Sequence, residues 1–225
     1  MGDGFQAALW VALLAIALLA CIGLRTMGLA TTYVRDLLHV GAGAWVFGWP
    51  FWHSGAAPIA ITLGASLGLL VVQPLSTRFP LLAGFQRSVS DEDERFGGLT
   101  FYALSCAAMT WLAFHFHPFP AAAALLALAL GDGIGGAIGR RFGLHFFAVP
   151  GGKSKSLEGS AVVAIAAALG GWIASAYFGA AVNPLAWIGI GLVASAAEAL
   201  APRGSDNLLL PGAVYLFARL AVQPW

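Results

Sequence analysis

Four carboxylates, Asp132, Glu158, Glu198 and Asp206, and four cations, Arg140, Arg141, Lys153 and Lys155, occupy three short stretches of the C-terminal half of the chain. Carboxylate oxygens hold Mg2+, and Lys and Arg clamp phosphates. That combination suits phosphoryl or nucleotidyl transfer, whose catalysis is mostly positioning and charge neutralisation. Asp132 is the sharpest of the group. It closes the apolar run Ala121–Leu130 and opens the stretch Gly131-Asp132-Gly133-Ile134-Gly135-Gly136-Ala137-Ile138-Gly139-Arg140-Arg141-Phe142-Gly143. An ionisable side chain at membrane depth is costly and marks a functional hypothesis by default.

The same stretch contains a formal G-x-G-x-x-G, but the dinucleotide-binding reading needs a preceding strand in a βαβ unit, and an apolar helix precedes it here. Gly131, Gly135 and Gly139 recur every four residues and line one helical face, as close packing by small residues requires. That packing explains neither Asp132 nor the paired arginines. The next loop, Pro150-Gly151-Gly152-Lys153-Ser154-Lys155-Ser156-Leu157-Glu158-Gly159-Ser160, mimics the end of a P-loop, yet Phe147 stands where the motif needs glycine. What remains is a pair of flexible glycines and two lysines feeding a helix N-terminus, which favours phosphate. Glu158 in that first turn also suits a simple capping carboxylate. Asp206 and Asn207, after the Pro202-Arg203-Gly204 break, suit helix caps as well. Arg35 and His39 are four apart and share a helix face. His115 and His117 are two apart, do not share one, and read as interfacial residues.

Composition sets the scaffold. Of 225 residues 60% are hydrophobic and 9% charged, with a mean hydropathy of +0.84. A soluble domain carries about 25% charged residues, so there is too little polar surface to face water. The net charge of +1 identifies no partner. Cys21 and Cys106 lie in apolar runs and exclude a disulfide framework. The first apolar run lacks the basic n-region of a signal peptide and reads as a membrane anchor.

A spanning helix needs about 20 mostly apolar residues. Candidate spans cover residues 5–24, 37–54, 56–73, 98–116, 119–139, 160–178, 184–201 and 207–223: eight, or seven if the second is interfacial. With eight, Arg25, Arg35, Arg78, Arg87, Arg95, Arg140, Arg141, Lys153, Lys155 and Arg203 fall on one side and the opposite loops carry no Lys or Arg. The positive-inside rule makes that side cytoplasmic and places both termini outside. The expectation is an all-α polytopic bundle, residues 1–225 forming a single integral membrane domain with a nucleotide- and metal-binding core over 125–210. The acidic run Asp91-Glu92-Asp93-Glu94 reads as a solvated cytoplasmic loop.

At these residues the sequence resembles the polyprenol kinase group, which includes dolichol kinase, the phytol and farnesol kinases and a CTP-dependent diacylglycerol kinase, and whose membrane fold is similar to that of the phosphatidate cytidylyltransferases. The resemblance rests on Gly131-Asp132-Gly133 with Gly139-Arg140-Arg141-Phe142-Gly143, on Lys155-Ser156-Leu157-Glu158-Gly159-Ser160, and on Glu198 with Asp206-Asn207. Arg35 and His39 resemble the family's early Arg-Lys-x-x-His element, with Asp36 standing where a second basic residue is usual. Gly97-Gly98-Leu99-Thr100-Phe101-Tyr102 is similar to a Gly/Tyr element between the two. The resemblance implies transfer of the γ-phosphate of CTP, or another nucleoside triphosphate, to a membrane-embedded lipid alcohol with Mg2+ as cofactor. Asp132, Glu158, Glu198 and Asp206 would divide metal binding and base duty, with Asp132, Glu198 and Asp206 as metal ligands. Arg140, Arg141, Lys153, Lys155, Ser156, Gly133, Gly136, Gly159 and Asn207 would hold the nucleotide. The lipid bilayer is the expected partner besides the substrates, and nucleic acid is not.

Two other readings use the same residues. A cytidylyltransferase acting on a lipid phosphate needs the same apparatus, but the closely spaced Lys-Asp and Asp-Arg-x-x-Asp pattern expected of phosphatidate cytidylyltransferases is missing. A small transporter would place its acids near the midplane and show repeated halves. Here the acids gather at one edge, and no repeat is visible.

Overall fold

A computed structural model describes residues 2–76, 78–89, 98–149, 153–202 and 205–221. The described chain is helical almost throughout. Helix α1 (Asp3–Thr26) leads to α2 (Thr31–Gly43), which tightens into a 3-10 stretch, Ala44–Phe51. Then come α3 (Ala56–Ser76), α4 (Pro80–Val89), α5 (Gly98–His115) and α6 (Pro118–Leu126). Helix α6 continues through a π-helical turn, Ala127–Asp132, into α7 (Gly133–Phe142). A hairpin of β1 (Phe146–Val149) and β2 (Lys153–Ser156) precedes α8 (Leu157–Phe178), α9 (Pro184–Leu200) and α10 (Asp206–Ala221).

The punctuation is local chemistry. Proline opens α6 and α9, where its missing N–H costs nothing, and His117 and Asn183 cap those helices by accepting from the amides of Phe119 and Leu185. Ser156 caps α8 by accepting from the Gly159 amide at 3.1 Å. Gly179, at φ +65°, closes the same helix in the left-handed conformation that glycine adopts without strain.

Helix α6 is buried on every face, from Phe119 through Leu126, as a helix apolar all round must be. It packs against α5, α8 and α10, and α8 in turn carries α7 and α9. Helix α1 lies at the edge of this core: Leu9, Leu13, Leu14, Ile16 and Leu19 are exposed, while Ala7 and Trp10 pack against the core and Leu18, Ile22 and Leu24 against Cys21 and Val34. It is held at its N-terminal end by Asp3, which accepts from the His53 amide and Nδ1, each at 2.9 Å. Among the described residues three helical stretches are long and apolar enough to cross a membrane: Asp3–Thr26, Pro118–Phe142 and Leu157–Phe178. Ala56–Val71 and Pro184–Leu200 are shorter apolar helices.

The structure departs from the sequence expectation in three places. The all-α reading omits the β1–β2 hairpin, antiparallel in the register Phe146↔Ser156 to Val149↔Lys153. The stretch 37–54 is not one helix: α2 begins six residues earlier, at Thr31, and ends at Gly43. Beyond it Ala44–Phe51 is 3-10, and Pro50 within it opposes α-helix, where its ring would clash with the carbonyl four residues back. Helix α4 is ten residues long, too short for an apolar-run criterion to register. The acidic run 91–94, the glycines 151 and 152, Arg95 and Arg203 lie outside the described residues, as does the side chain of Lys153.

Candidate functional site at the polar end of the bundle

Asp132 is the last residue of the π-helical turn that joins α6 to α7. A π turn widens the backbone ladder by one residue, and such turns recur at functional sites. The helices on either side of Asp132 are set by the glycines around it. On one face Gly131, Gly135 and Gly139 rest on α8: a Cβ at Gly135 would meet Val163 Cγ2 at 2.4 Å, and one at Gly159 would meet the Gly139 Cα at 3.0 Å. The small-residue face expected from the four-residue spacing is therefore a packing face. Gly133 points the other way, where a Cβ would meet Val40 Cγ2 at 2.8 Å and the Asp36 carbonyl at 3.3 Å. Asp132 thus stands half-buried where α2 and α8 both close on the start of α7. Gly136 lies under the Arg140 guanidinium, 3.1 Å from Nη1 to where its Cβ would be.

Helix α2 brings Arg35 and His39 to this end. His39 is 2% exposed. Its Nδ1 lies 2.9 Å from the Arg35 carbonyl and its Nε2 lies 3.3 Å from Asn207 Oδ1. Asn207 is held in turn: its Nδ2 donates to the Gly98 carbonyl at 3.0 Å, and its carbonyl accepts from Ser105 Oγ at 2.5 Å. Tyr102 donates to the His39 carbonyl at 2.8 Å and sets its ring edge-on to the imidazole, 4.3 Å between centroids. This network ties α2, α5 and α10 together, and buried polar groups linked across helices favour one arrangement. Asp206, beside Asn207, accepts from the Asn207 amide at 3.0 Å in the first turn of α10.

Two of the cations, Arg140 and Lys155, are ion-paired. Arg140 on α7 forms an ion pair with Asp36 on α2, Nη2 to Oδ2, with its guanidinium 5.6 Å over the Tyr33 ring. Burial pushes the Asp36 carboxyl up from the usual range, and the neighbouring Arg140 and Arg35 charges pull it back. Arg141 lies over Phe142 at 5.6 Å. Lys155, on β2, reaches the end of α9, where it pairs with the Glu198 carboxylate and donates to the Glu198 carbonyl at 2.7 Å.

Asp132 and Asp206 both lie within electrostatic reach of Glu198, and Asp132 within reach of Asp36. The fold therefore gathers Asp132, Glu198 and Asp206, which the sequence separates by up to 74 residues. Among the described residues no three His, Cys, Asp or Glu side chains converge closely enough to hold a metal ion by themselves. Glu158 is turned to another task. Its carboxylate accepts from the amides of Leu144 and His145 at 3.1 and 3.3 Å and lies 2.6 Å from His145 Nδ1, pinning the approach to the hairpin against the first turn of α8. Ser156 and Gly159 belong to the cap of α8 and its contact with Gly139.

Asp36, Ser105 and His145 are partners of this site that the sequence reading did not assign, and Tyr102 entered it only through the Gly/Tyr element. No spacing rule finds them, because their partners lie on other helices.

The fold and site define a helical membrane protein in which basic and acidic side chains of α2, α7, the hairpin, α9 and α10 meet at one end of the bundle. No family model and no solved structure matches the chain. Over 185 residues it is 32% identical to the phytol kinase of Synechocystis sp., a match covering 79% of this chain and 74% of that protein. The chain belongs to the polyprenol kinase group.

Proposed function

We propose that this protein transfers the γ-phosphate of CTP, or of another nucleoside triphosphate, to the hydroxyl of a lipid alcohol. The alcohol would be of polyprenol type, phytol and farnesol among them, or diacylglycerol. The observation that carries this reading is the 32% identity to a phytol kinase over 79% of the chain. The gathering of Asp132, Glu198 and Asp206 beside Arg140 and Lys155 supports it independently.

Asp132, Glu198 and Asp206 would hold Mg2+. They do not converge into a ready-made cage, and Mg2+ is commonly held by one or two carboxylates with waters and substrate phosphates completing its shell. When bound, the ion would neutralise charge on the β- and γ-phosphates. The alcohol oxygen attacks the γ-phosphorus as its proton passes to a carboxylate. The new P–O bond forms as the bond from the γ-phosphorus to the β,γ-bridging oxygen breaks, and the nucleoside diphosphate leaves. Arg140, Arg141, Lys153 and Lys155 would hold the triphosphate, with Ser156, Gly133, Gly136, Gly159 and Asn207 shaping the site, and the alcohol would enter sideways from the bilayer. The one-sided distribution of Lys and Arg supports about eight spans with both termini outside and the site on the cytoplasmic face of a bacterial-type inner membrane. Residues 125–210 would be the nucleotide- and metal-binding core of the single domain.

The test is a screen of the purified chain in detergent with Mg2+ and γ-labelled CTP, ATP or GTP against farnesol, phytol, undecaprenol and diacylglycerol. Labelled lipid monophosphate is expected from at least one pair, and its loss in Asp132→Asn. Absence of product from every pair overturns the reading.

A further inference from the structure

Asp36 is an acid at a position where the resemblance leads one to expect a base, and it is the partner of a cation assigned above to the triphosphate. The two residues are 104 positions apart, so the pair exists only because α2 crosses α7 closely at Gly133, where the Asp36 carbonyl sits 3.3 Å from the place a Cβ would take. Asp36 is the more enclosed partner, its side chain 13% exposed against 36% for Arg140. The buried acid is the anchor, and the guanidinium reaches outward from it. The contact runs from Nη2 to Oδ2, while the Tyr33 ring lies under the guanidinium at 5.6 Å. Gly136 leaves the room beside Nη1 that any side chain would fill. A guanidinium carries five N–H donors in a fixed planar fork. A carboxylate at one edge and the Tyr33 ring against one face together restrict the plane of the fork.

We infer that Asp36 is a positioning residue for nucleotide binding: it holds the Arg140 fork in the orientation that meets a phosphate of the bound nucleotide. The inference rests on the placement of Arg140 in the triphosphate site proposed above. Asp36 touches no reacting atom, and as an anion it would by itself repel a triphosphate. The inference therefore makes a signed claim, because a purely electrostatic role and a positioning role move the nucleotide KM in opposite directions.

The experiment measures KM for the nucleotide, KM for the lipid alcohol, kcat and the melting temperature of the full chain in detergent. In Asp36→Asn the nucleotide KM should rise about tenfold, the factor one charge-assisted hydrogen bond carries near the low end of its range, with the alcohol KM within about twofold of wild type. Asp36→Glu should recover most of the loss. In an Arg140→Ala background Asp36→Asn should add nothing to the nucleotide KM. The exchanged pair Asp36→Arg with Arg140→Asp guards against simple unfolding: its melting temperature should recover relative to either single variant while its nucleotide KM stays raised. A nucleotide KM that falls or stays unchanged in Asp36→Asn overturns the inference, as does an equal rise in the Arg140→Ala background, or an exchanged pair that restores KM together with stability. Those results require an active wild type, so they are separate from failure of the kinase reading, in which the wild type makes no lipid phosphate. In that case the binding of CTP with MgCl2 to the same variants decides: an affinity for CTP that drops in Asp36→Asn sustains the inference, and one that is absent or unchanged overturns it.

Discussion

Lys155 is bonded to Glu198 twice, through the carboxylate and through the Glu198 backbone carbonyl at 2.7 Å. One side chain thus fastens the second hairpin strand to the last turn of α9, and a cation assigned to phosphate sits against a carboxylate assigned to metal. Both side chains are largely buried, 18% and 12% exposed. Removing one member of a buried pair strands the other, at a cost of about 3–5 kcal/mol. Lys155→Met should therefore lower the melting temperature sharply and abolish turnover. The double variant Lys155→Met with Glu198→Gln should recover much of the stability and none of the activity. Thermal unfolding in detergent beside a lipid phosphorylation assay checks both, and recovery of activity in the double variant would remove the two residues from the site.

Asn207 gives a second prediction. It serves His39, the Gly98 carbonyl and, through its own carbonyl, Ser105. Asn207→Leu leaves buried groups on α2 and α5 without partners, each costing about 1–3 kcal/mol. Ser105→Ala removes a single bond and should cost about 1 kcal/mol. The melting temperatures of the two variants should fall in that order, and equal effects would contradict the network.

The glycine face makes a third. Gly135→Ala places a Cβ 2.4 Å from Val163 Cγ2 and 3.2 Å from the Gly159 carbonyl, which forces α7 from α8 and shifts Asp132 with it. Overpacking of this kind costs about 1–3 kcal/mol, and activity should fall further than stability. Gly68→Ala on α3, with nothing within 4 Å of the new methyl, is the control and should be neutral. Turnover and melting temperature together separate a displaced site from a general loss of fold.

Glu158 decides between two roles. Its contacts are with Leu144 and His145, which makes it the clasp of the hairpin that carries Lys155. Glu158→Gln keeps an acceptor for those amides and should retain turnover, with a nucleotide KM raised by a few fold, the worth of a weakened hydrogen bond. Glu158→Ala should be the more damaging of the two. Initial rates at varied nucleotide concentration test this; loss of turnover in Glu158→Gln equal to that in Glu158→Ala would make the carboxylate the proton acceptor instead.

The helices were legible because their signals are local. The prolines at 118 and 184 and Gly179 stop and start helices by their own chemistry, and the spacing of Gly131, Gly135 and Gly139 marked a packing face. Elements without a long apolar run were not legible. Helix α4 is short, α2 begins at Thr31 with polar residues ahead of its apolar part, and the hairpin is two four-residue strands. For the site, residue types pointed to Asp132, Glu198 and Asp206, and the fold brings Asp132 and Asp206 within electrostatic reach of Glu198. Their partners were invisible. Asp36 with Arg140 and Lys155 with Glu198 are separated by 104 and 43 positions, and no periodicity links residues across a helix crossing.

The central claim is that the terminal phosphate, and no other part of the nucleotide, reaches the lipid. The direct measurement supplies the purified chain and a lipid alcohol it phosphorylates with CTP labelled at either the α- or the γ-phosphorus, then counts label in the extracted lipid. The account predicts lipid label from γ-labelled CTP alone, reduced by at least about a hundredfold in Asp132→Asn, as expected when a group that stabilises developing charge is removed. Lipid label from α-labelled CTP, or undiminished transfer in Asp132→Asn, would contradict it.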